Sequence, residues 1–153
     1  MSKKDLKYFM RDTTPEIVTV PGPESFKDED GNVIDFEIKV LTQSEIMKIN
    51  ELYKVHRAAK DKKGNPLVLN NSVVWEETTD SAKAVRQMIV DALIYPNLKD
   101  PELMKHFNCV DNTDMPLLVF SKADEYRHVV KIVMNALGLS SEEDEVELED
   151  AKN

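Results

Sequence analysis

The chain has 153 residues, of which 41% are hydrophobic and 32% are charged, and its formal net charge is −9. This length is typical of a single domain that buries a hydrophobic core of its own. The negative charge argues against nucleic acid as a direct partner, and no segment has the roughly 20 consecutive apolar residues that cross a membrane.

The negative charge is concentrated at the end of the chain. Residues 140–153 contain seven acids and one lysine, and so carry −6 of the net −9. This run has too little apolar content to fold alone, which predicts a disordered acidic tail. Residues 1–14 are polar with little periodicity and are predicted to be a flexible N-terminus without a secretory signal. A single domain is therefore expected over residues 15–139.

The first third of this domain is predicted to contain β-structure. Residues 16–20 are rich in β-branched side chains and precede a Pro-Gly-Pro sequence, which predicts a short strand. A hairpin is predicted next, in which residues 25–27 lead into a turn around Gly31 and residues 33–41 lead out of it. In the outgoing segment apolar and charged residues alternate. This places four side chains on one face: Ile34, Phe36, Ile38 and Val40.

Helices are predicted from Thr42 onwards. Residues 42–45 have the sequence of a capping box, and apolar residues at helical spacing continue the first helix to about Lys60. Residues 66–79 fit either strands or loops. Asp80 or Ser81 caps a second long helix, which ends before Pro96.

The last third of the domain is also predicted to be helical. Asp100 followed by proline begins a short helix to about Phe107, and a further short helix runs from Asp114 to Phe120. Residues 121–124 open a final amphipathic helix, which Gly138 closes. These elements predict an α+β fold, mostly α: an N-terminal β-hairpin or small antiparallel sheet followed by a bundle of four to five helices.

Side chains that carry out chemistry do not form a recognisable pattern. The three histidines lie on separate predicted helices, and no HExxH or HxxxH sequence occurs. Residues 28–32 are acidic but place Gly31 at the wrong position for a calcium loop. Glycine-rich phosphate loops and GxSxG are absent, and the single cysteine, Cys109, fits a reducing compartment. We therefore predict no catalytic, cofactor-binding or metal-binding residue, and a protein that is not an enzyme.

Binding to another protein is the predicted activity. Residues 115–120 are the most apolar run in the chain, with more apolar positions than one side of a short helix can bury. A tryptophan stands in the undecided segment 66–79. For each of these apolar residues, packing in the hydrophobic core is the alternative to partner binding. The candidate partner-binding residues are Trp75, Met115, Leu117, Leu118 and Phe120.

Three blocks of sequence, in this order and spacing, resemble the XkdN-like tail assembly chaperones of long-tailed phages, prophages and phage-tail-like bacteriocins. The first runs from Phe26 through Asp30-Gly31 to Phe36, followed by Leu41-Thr42 and Glu45. The second is residues 92–103, Ala-Leu-Ile-Tyr-Pro-Asn-Leu-Lys-Asp-Pro-Glu-Leu. The third comprises Glu125-Tyr126, Val129, Ile132 and Leu137-Gly138-Leu139.

Two segments depart from the family's pattern. Asn108-Cys109-Val110 stands where a Tyr-Gly-Val-like turn is common, and Lys122-Ala123-Asp124 stands where a Pro-Gly is expected. These departures concern local loops more than the fold.

The resemblance implies a function. Such proteins bind the long, aggregation-prone tape measure protein in the host bacterial cytoplasm, keep it soluble and help the tail tube protein assemble around it. They are absent from the mature particle. In some systems a ribosomal frameshift makes a longer form of the chaperone, which is then a further partner. Two alternatives are a structural virion protein, such as a tail terminator or head–tail connector, and a regulatory adaptor unrelated to phages.

Overall fold

The structure is a computed structural model that describes residues 4–139. The predicted acidic tail therefore lies outside the described residues, as do residues 1–3. The described part of the chain forms five α-helices, seven β-strands and two short 3-10 helices. In chain order these are a 3-10 helix (Leu6–Phe9), β1 (Ile17–Pro21), β2 (Asp35–Lys39), α1 (Gln43–Leu52), β3 (Lys54–Ala58), β4 (Val68–Leu69), β5 (Ser72–Val73), β6 (Trp75–Thr79), α2 (Ser81–Ala92), β7 (Leu93–Tyr95), α3 (Pro101–His106), a second 3-10 helix (Asn112–Asp114), α4 (Met115–Val119) and α5 (Ala123–Ala136).

The predicted order of an N-terminal hairpin followed by a helical bundle is wrong. The main sheet has the strand order β1-β2-β7, and its third strand comes from the middle of the chain, directly after α2. Two smaller two-stranded sheets, β3-β6 and β4-β5, lie between α1 and α2. Strands therefore also occur between helices in the middle of the chain, and pairing between distant segments decides the fold class.

The predicted hairpin is also replaced by a different pairing. Residues 25–27 and 33–41 share only an isolated bridge between Lys27 and Val33, around a turn in which Gly31 has a φ of +84°. β2 instead pairs antiparallel with β1. The physical reason is that β1 supplies two half-buried valines, Val18 and Val20, on the face that buries Ile38 and Phe36.

Helix α2 lies at the centre of the domain, where it packs against α1, α4, α5 and the main sheet. Its buried side chains include Met88, Ile89 and Val90. Phe120 reaches the same core from the end of α4, with its ring centroid 5.8 Å from those of Phe26 and Phe36. The sheet and the helices thus share one hydrophobic core.

Most predicted helix ends are confirmed. Thr42 and Glu45 form the capping box of α1, and Asp80 accepts a hydrogen bond from the Lys83 N–H at the start of α2. Asp100 accepts from two N–H groups of α3, and Gly138 has the left-handed φ of +73° after α5. The prediction for the end of α1 is wrong: the helix stops at Leu52 and the chain continues as β3.

Within residues 4–139, no helix has the length and apolarity that a membrane crossing requires.

Candidate interaction surface

A β-structured projection separates α1 from α2. It consists of residues 54–79, which include strands β3 to β6, and we call it the β-arm. Every buried residue of the described chain lies outside it, and its own side chains are exposed or half-buried. The β-arm therefore adds surface to the domain without adding to its core.

The stem of the β-arm is the antiparallel pair β3-β6. Its register runs from Lys54 opposite Thr79 to Ala58 opposite Trp75. At the base, the Asp80 N–H donates to the Tyr53 carbonyl oxygen over 2.8 Å. The Tyr53 hydroxyl in turn donates to the Gln87 side chain over 2.6 Å, which ties the base to α2. The two ends of the β-arm therefore leave the domain side by side.

Three backbone segments meet above the stem. The Ala59 N–H donates to the Val74 carbonyl (2.8 Å), the Val74 N–H to the Leu67 carbonyl (2.9 Å), and the Leu67 N–H to the Ala59 carbonyl (2.7 Å). This closed ring of hydrogen bonds satisfies polar groups that water would otherwise have to solvate. The three residues are half-buried, whereas their neighbours are mostly exposed. The ring divides the β-arm into a stem and two tips.

Each tip is a tight turn with its own local signal. In the first tip, the Asp61 carboxylate accepts from the N–H groups of Lys63 and Asn65, and Gly64 supplies a φ of +84°. The second tip is the β4-β5 hairpin, in which Asn70 and Asn71 have φ values of +52° and +64°. Two consecutive left-handed residues are the geometry of a type I′ hairpin turn, which asparagine tolerates well.

The β-arm exposes large apolar side chains that no described residue covers. Trp75 is 66% exposed, and Leu69 and Val68 are 58% and 54% exposed. Val55 and Val73 are exposed to a lesser degree. Several large exposed apolar residues within one short projection mark it as a candidate protein–protein contact surface.

The β-arm is also basic, although the chain as a whole is acidic. Residues 54–79 carry five basic and three acidic side chains, a net charge of +2 against −9 for the whole chain. In the stem, Arg57 pairs with Glu76 at 2.8 Å and Lys54 with Glu77 at 3.3 Å. The lysines at the first tip are exposed and form no ion pair with another described residue. They are Lys60, Lys62 and Lys63.

The predicted partner-binding residues fall into two groups. Trp75 lies on the β-arm, and Leu117 and Leu118 lie on α4 with 47% and 37% of their surface exposed. Met115 and Phe120 are core residues, 0% and 1% exposed. The structure therefore does not bring the five together, and the sequence argument did not resolve which residues of the run face the core. Phe120 follows the helix and turns into the core.

Other exposed apolar residues were missed. On the β-arm these are Val55, Val68, Leu69 and Val73. The available signal was the pair of short apolar runs, residues 67–69 and 73–75, on either side of Asn70-Asn71, which is a hairpin pattern. A second set lies in the N-terminal segment, between 68% and 80% exposed: Leu6, Tyr8, Phe9 and Met10. Three of them are consecutive and polar or charged residues flank the group, so the sequence showed no clear period there.

The titratable side chains of the described part remain dispersed. His128 contacts the Pro21 carbonyl oxygen at 3.1 Å, and Glu125 accepts hydrogen bonds from the Ser25 hydroxyl and the Lys122 N–H. Burial, together with nearby Asp114 and Asp111, raises the pKa of the Cys109 thiol. Within residues 4–139 no three His, Cys, Asp or Glu side chains are placed to hold a metal ion.

Comparison with known proteins assigns the family. The family described as phage XkdN-like tail assembly chaperone protein matches residues 6–152. Two proteins of Bacillus subtilis strain 168 are similar over 151 residues, or 97% of this chain. The uncharacterized protein YqbN is 30% identical over 93% of its own length, and the phage-like element PBSX protein XkdN is 28% identical over 94% of its length.

A solved structure supports the fold. The crystal structure of YqbN superposes with a TM-score of 0.69 at 22% sequence identity, covering 91% of this chain and all of the other. At that identity the match concerns the fold alone, whereas the family match extends over nearly the whole sequence. The family is one of assembly chaperones and not of catalysts. This chain belongs to the XkdN-like phage tail assembly chaperones.

Proposed function

We propose that this protein binds the tape measure protein of its phage or prophage in the bacterial cytoplasm, through the β-arm, and keeps it soluble until the tail tube protein assembles around it. A chaperone of this kind leaves before the particle is complete. The observation that carries the proposal is the exposed apolar surface of the β-arm on a member of the tail assembly chaperone family.

The chemistry of such a client fits the β-arm. A long helical protein that has not yet assembled exposes apolar stripes, and binding them requires apolar side chains on a stable scaffold. Trp75, Leu69 and Val68 supply those side chains, and the core beneath them does not depend on their burial. Tryptophan in particular offers a large contact area and loses little side-chain conformational entropy on binding.

Co-expression with the tape measure protein of the same phage or prophage tests the proposal. One variant joins Tyr53 to Asp80 through a short glycine linker and lacks the β-arm. The Tyr53–Asp80 hydrogen bond shows that these ends are adjacent, so the domain is expected to fold. Soluble tape measure protein is expected to fall to the level seen without any chaperone. An undiminished soluble yield with the armless domain would exclude the β-arm as the binding surface.

A matched pair of point variants separates the β-arm from general surface apolarity. Leu69 on the β-arm is 58% exposed and Ile17 on β1 is 57% exposed. Leu69→Ser is expected to reduce co-purification of the tape measure protein, and Ile17→Ser is expected to leave it unchanged. Equal effects of the two changes would argue against a specific role for the β-arm.

Mass spectrometry of purified phage particles tests whether the protein leaves before the particle is complete. A chaperone is expected to be missing from them. A tail terminator or head–tail connector would be present in multiples of its ring, and that result would replace the proposal.

A further inference from the structure

Charge is distributed unevenly within the β-arm. The stem is neutral, because its two bases and its two acids form the two ion pairs described above. Residues 64–75 contain no charged side chain. The net charge of +2 therefore belongs entirely to the first tip, which has three lysines and one aspartate.

The acid of the first tip does not form an ion pair with its lysines. The Asp61 carboxylate instead accepts hydrogen bonds from the N–H groups of Lys63 and Asn65 within the turn. The lysine ammonium groups are exposed and make no ion pair with another described residue. The first tip is therefore a small cationic surface that an anionic partner can contact.

The second tip is apolar and uncharged. Val68 lies directly opposite Val73 in the β4-β5 pair, so their side chains share one face of the hairpin. Leu69 at the end of β4 is 58% exposed, and Trp75 follows two residues after the hairpin. The β-arm thus presents an apolar tip and a cationic tip that extend from one stem.

The two tips are close enough for one short helical segment to contact both. They begin at the ring of hydrogen bonds, where Ala59 and Leu67 are bonded neighbours. At about 3.3 Å per residue, Lys62 lies at most about 10 Å beyond Ala59, and Leu69 at most about 7 Å beyond Leu67. With about 5 Å between neighbouring strands, the tips are at most about 22 Å apart, which is the length of about 15 residues of α-helix.

We infer that the β-arm selects acidic amphipathic segments of its client: helices that carry an apolar stripe with glutamates or aspartates beside it, within about 15 residues. The stripe packs against the second tip and Trp75, and the acids face the lysines of the first tip. The inference rests on the proposed function and names the chemistry of the segment that is bound. It adds a charge preference that an apolar surface alone would not have.

The net charge of the whole chain predicts the opposite preference, which makes the inference testable. At −9 the chain as a whole attracts a basic segment and repels an acidic one. At about 0.15 M salt, however, exposed charges more than about 8 Å apart are largely screened from each other. A segment in contact with the β-arm therefore experiences mainly the positive charge of the first tip.

Two synthetic helical peptides of about 20 residues provide the measurement. They carry the same leucine stripe and differ only in having four glutamates or four lysines beside it. Each is labelled with fluorescein and titrated with the full chain at about 0.15 M salt, and the anisotropy gives its Kd. The glutamate peptide is expected to bind about tenfold more tightly, because each exposed ion pair changes an affinity by up to about fivefold.

Salt at about 1 M is expected to bring the two affinities together, because it screens the attraction. Equal binding at low salt, or tighter binding of the lysine peptide, would overturn the inference. Absence of binding by both peptides would also overturn it, because an apolar stripe with acids beside it is then not sufficient for recognition.

Charge-reversal variants of the full chain test whether the first tip sets the preference. Lys62→Glu with Lys63→Glu gives this tip a negative charge and is expected to make the lysine peptide the tighter ligand. The control, Lys48→Glu with Lys105→Glu, changes two exposed lysines on α1 and α3 by the same total charge and is expected to leave the preference unchanged. Equal effects of the two double variants would overturn the assignment to the first tip.

Nucleic acid is the other anionic polymer that a lysine cluster attracts, and it serves as a further control. A fluorescein-labelled oligothymidylate with the net charge of the glutamate peptide lacks an apolar stripe and is expected to bind at least about tenfold more weakly. Comparable binding would overturn the assignment to a protein segment. None of these samples contains the tape measure protein, whose soluble yield tests the proposed function, so the two can fail separately.

Discussion

Leu117 within α4 and Phe120 directly after it have opposite environments, and truncating each to alanine separates core from surface. Phe120 is 1% exposed, and its ring lies 5.8 Å from the rings of both Phe26 and Phe36. Removing a buried phenylalanine ring lowers the free energy of unfolding by about 3–5 kcal/mol. The loss has two parts, the hydrophobic transfer free energy of the removed atoms and the cost of the cavity left behind. A domain of this length has a free energy of unfolding of roughly 7–20 kcal/mol. Phe120→Ala is therefore expected to fold with a much lower free energy of unfolding.

Leu117→Ala is the matched control from the same helix. Leu117 is 47% exposed, so its truncation removes about 1 kcal/mol of hydrophobic stabilisation. Urea unfolding followed by circular dichroism at a helical wavelength measures both variants on the same scale. The reasoning is refuted if Phe120→Ala loses no more free energy of unfolding than Leu117→Ala.

Three further predictions concern other positions. Gly22→Ala is expected to lower the free energy of unfolding by about 1–3 kcal/mol in the same urea assay, because an added Cβ would overlap the buried Phe36 ring; an unchanged midpoint would contradict this contact. Asp80→Ala is expected to cost about 1 kcal/mol by removing the N-cap of α2, and Asp80→Asn is expected to restore most of it. Cys109 is expected to react with a disulfide reagent more slowly than a free cysteine at pH 7.5. Its raised thiol pKa leaves less thiolate at that pH, and its rate is expected to rise at higher pH than that of free cysteine; equal rates at pH 7.5 would contradict the shift.

Local signals predicted the helices well. The capping box of α1, the aspartate caps of α2 and α3 and the glycine after α5 each depend on a few adjacent residues, and all four are present in the structure. The apolar stripe of α5 likewise buries Val129 and Val133 as its spacing predicts. A signal contained within one turn of helix does not require knowledge of distant segments.

Pairing between distant segments was not predictable in the same way. Lys54–Ala58 continued the apolar spacing of α1 closely enough to look helical, yet it forms β3 because β6, more than a dozen residues later, offers a complementary strand. β7 likewise joins the main sheet beside β2 from far along the chain. Neither pairing leaves a mark in the local sequence, and the predicted fold class failed for that reason.

The candidate surface was predicted only in part. Trp75 was selected because its segment had no clear structure, and the structure places it on the β-arm. Met115 and Phe120 were selected because the run around them is too apolar for one side of a helix. The helix does have one buried side, but Met115 and Phe120 lie on it, and the exposed residues of the run are Leu117 and Leu118. The role of Trp75, Leu117 and Leu118 in binding stays a prediction.

A single backbone hydrogen bond between Tyr53 and Asp80 closes the β-arm at its base. Sequence changes beyond that point alter no buried side chain, so selection for a new client and selection for a stable fold act on different stretches of the chain. Evolution is thereby free to lengthen, shorten or rewrite the projection while the domain beneath it stays constant. Related chaperones are expected to diverge fastest there, and exchanging this one insert between them is the natural way to transfer client preference.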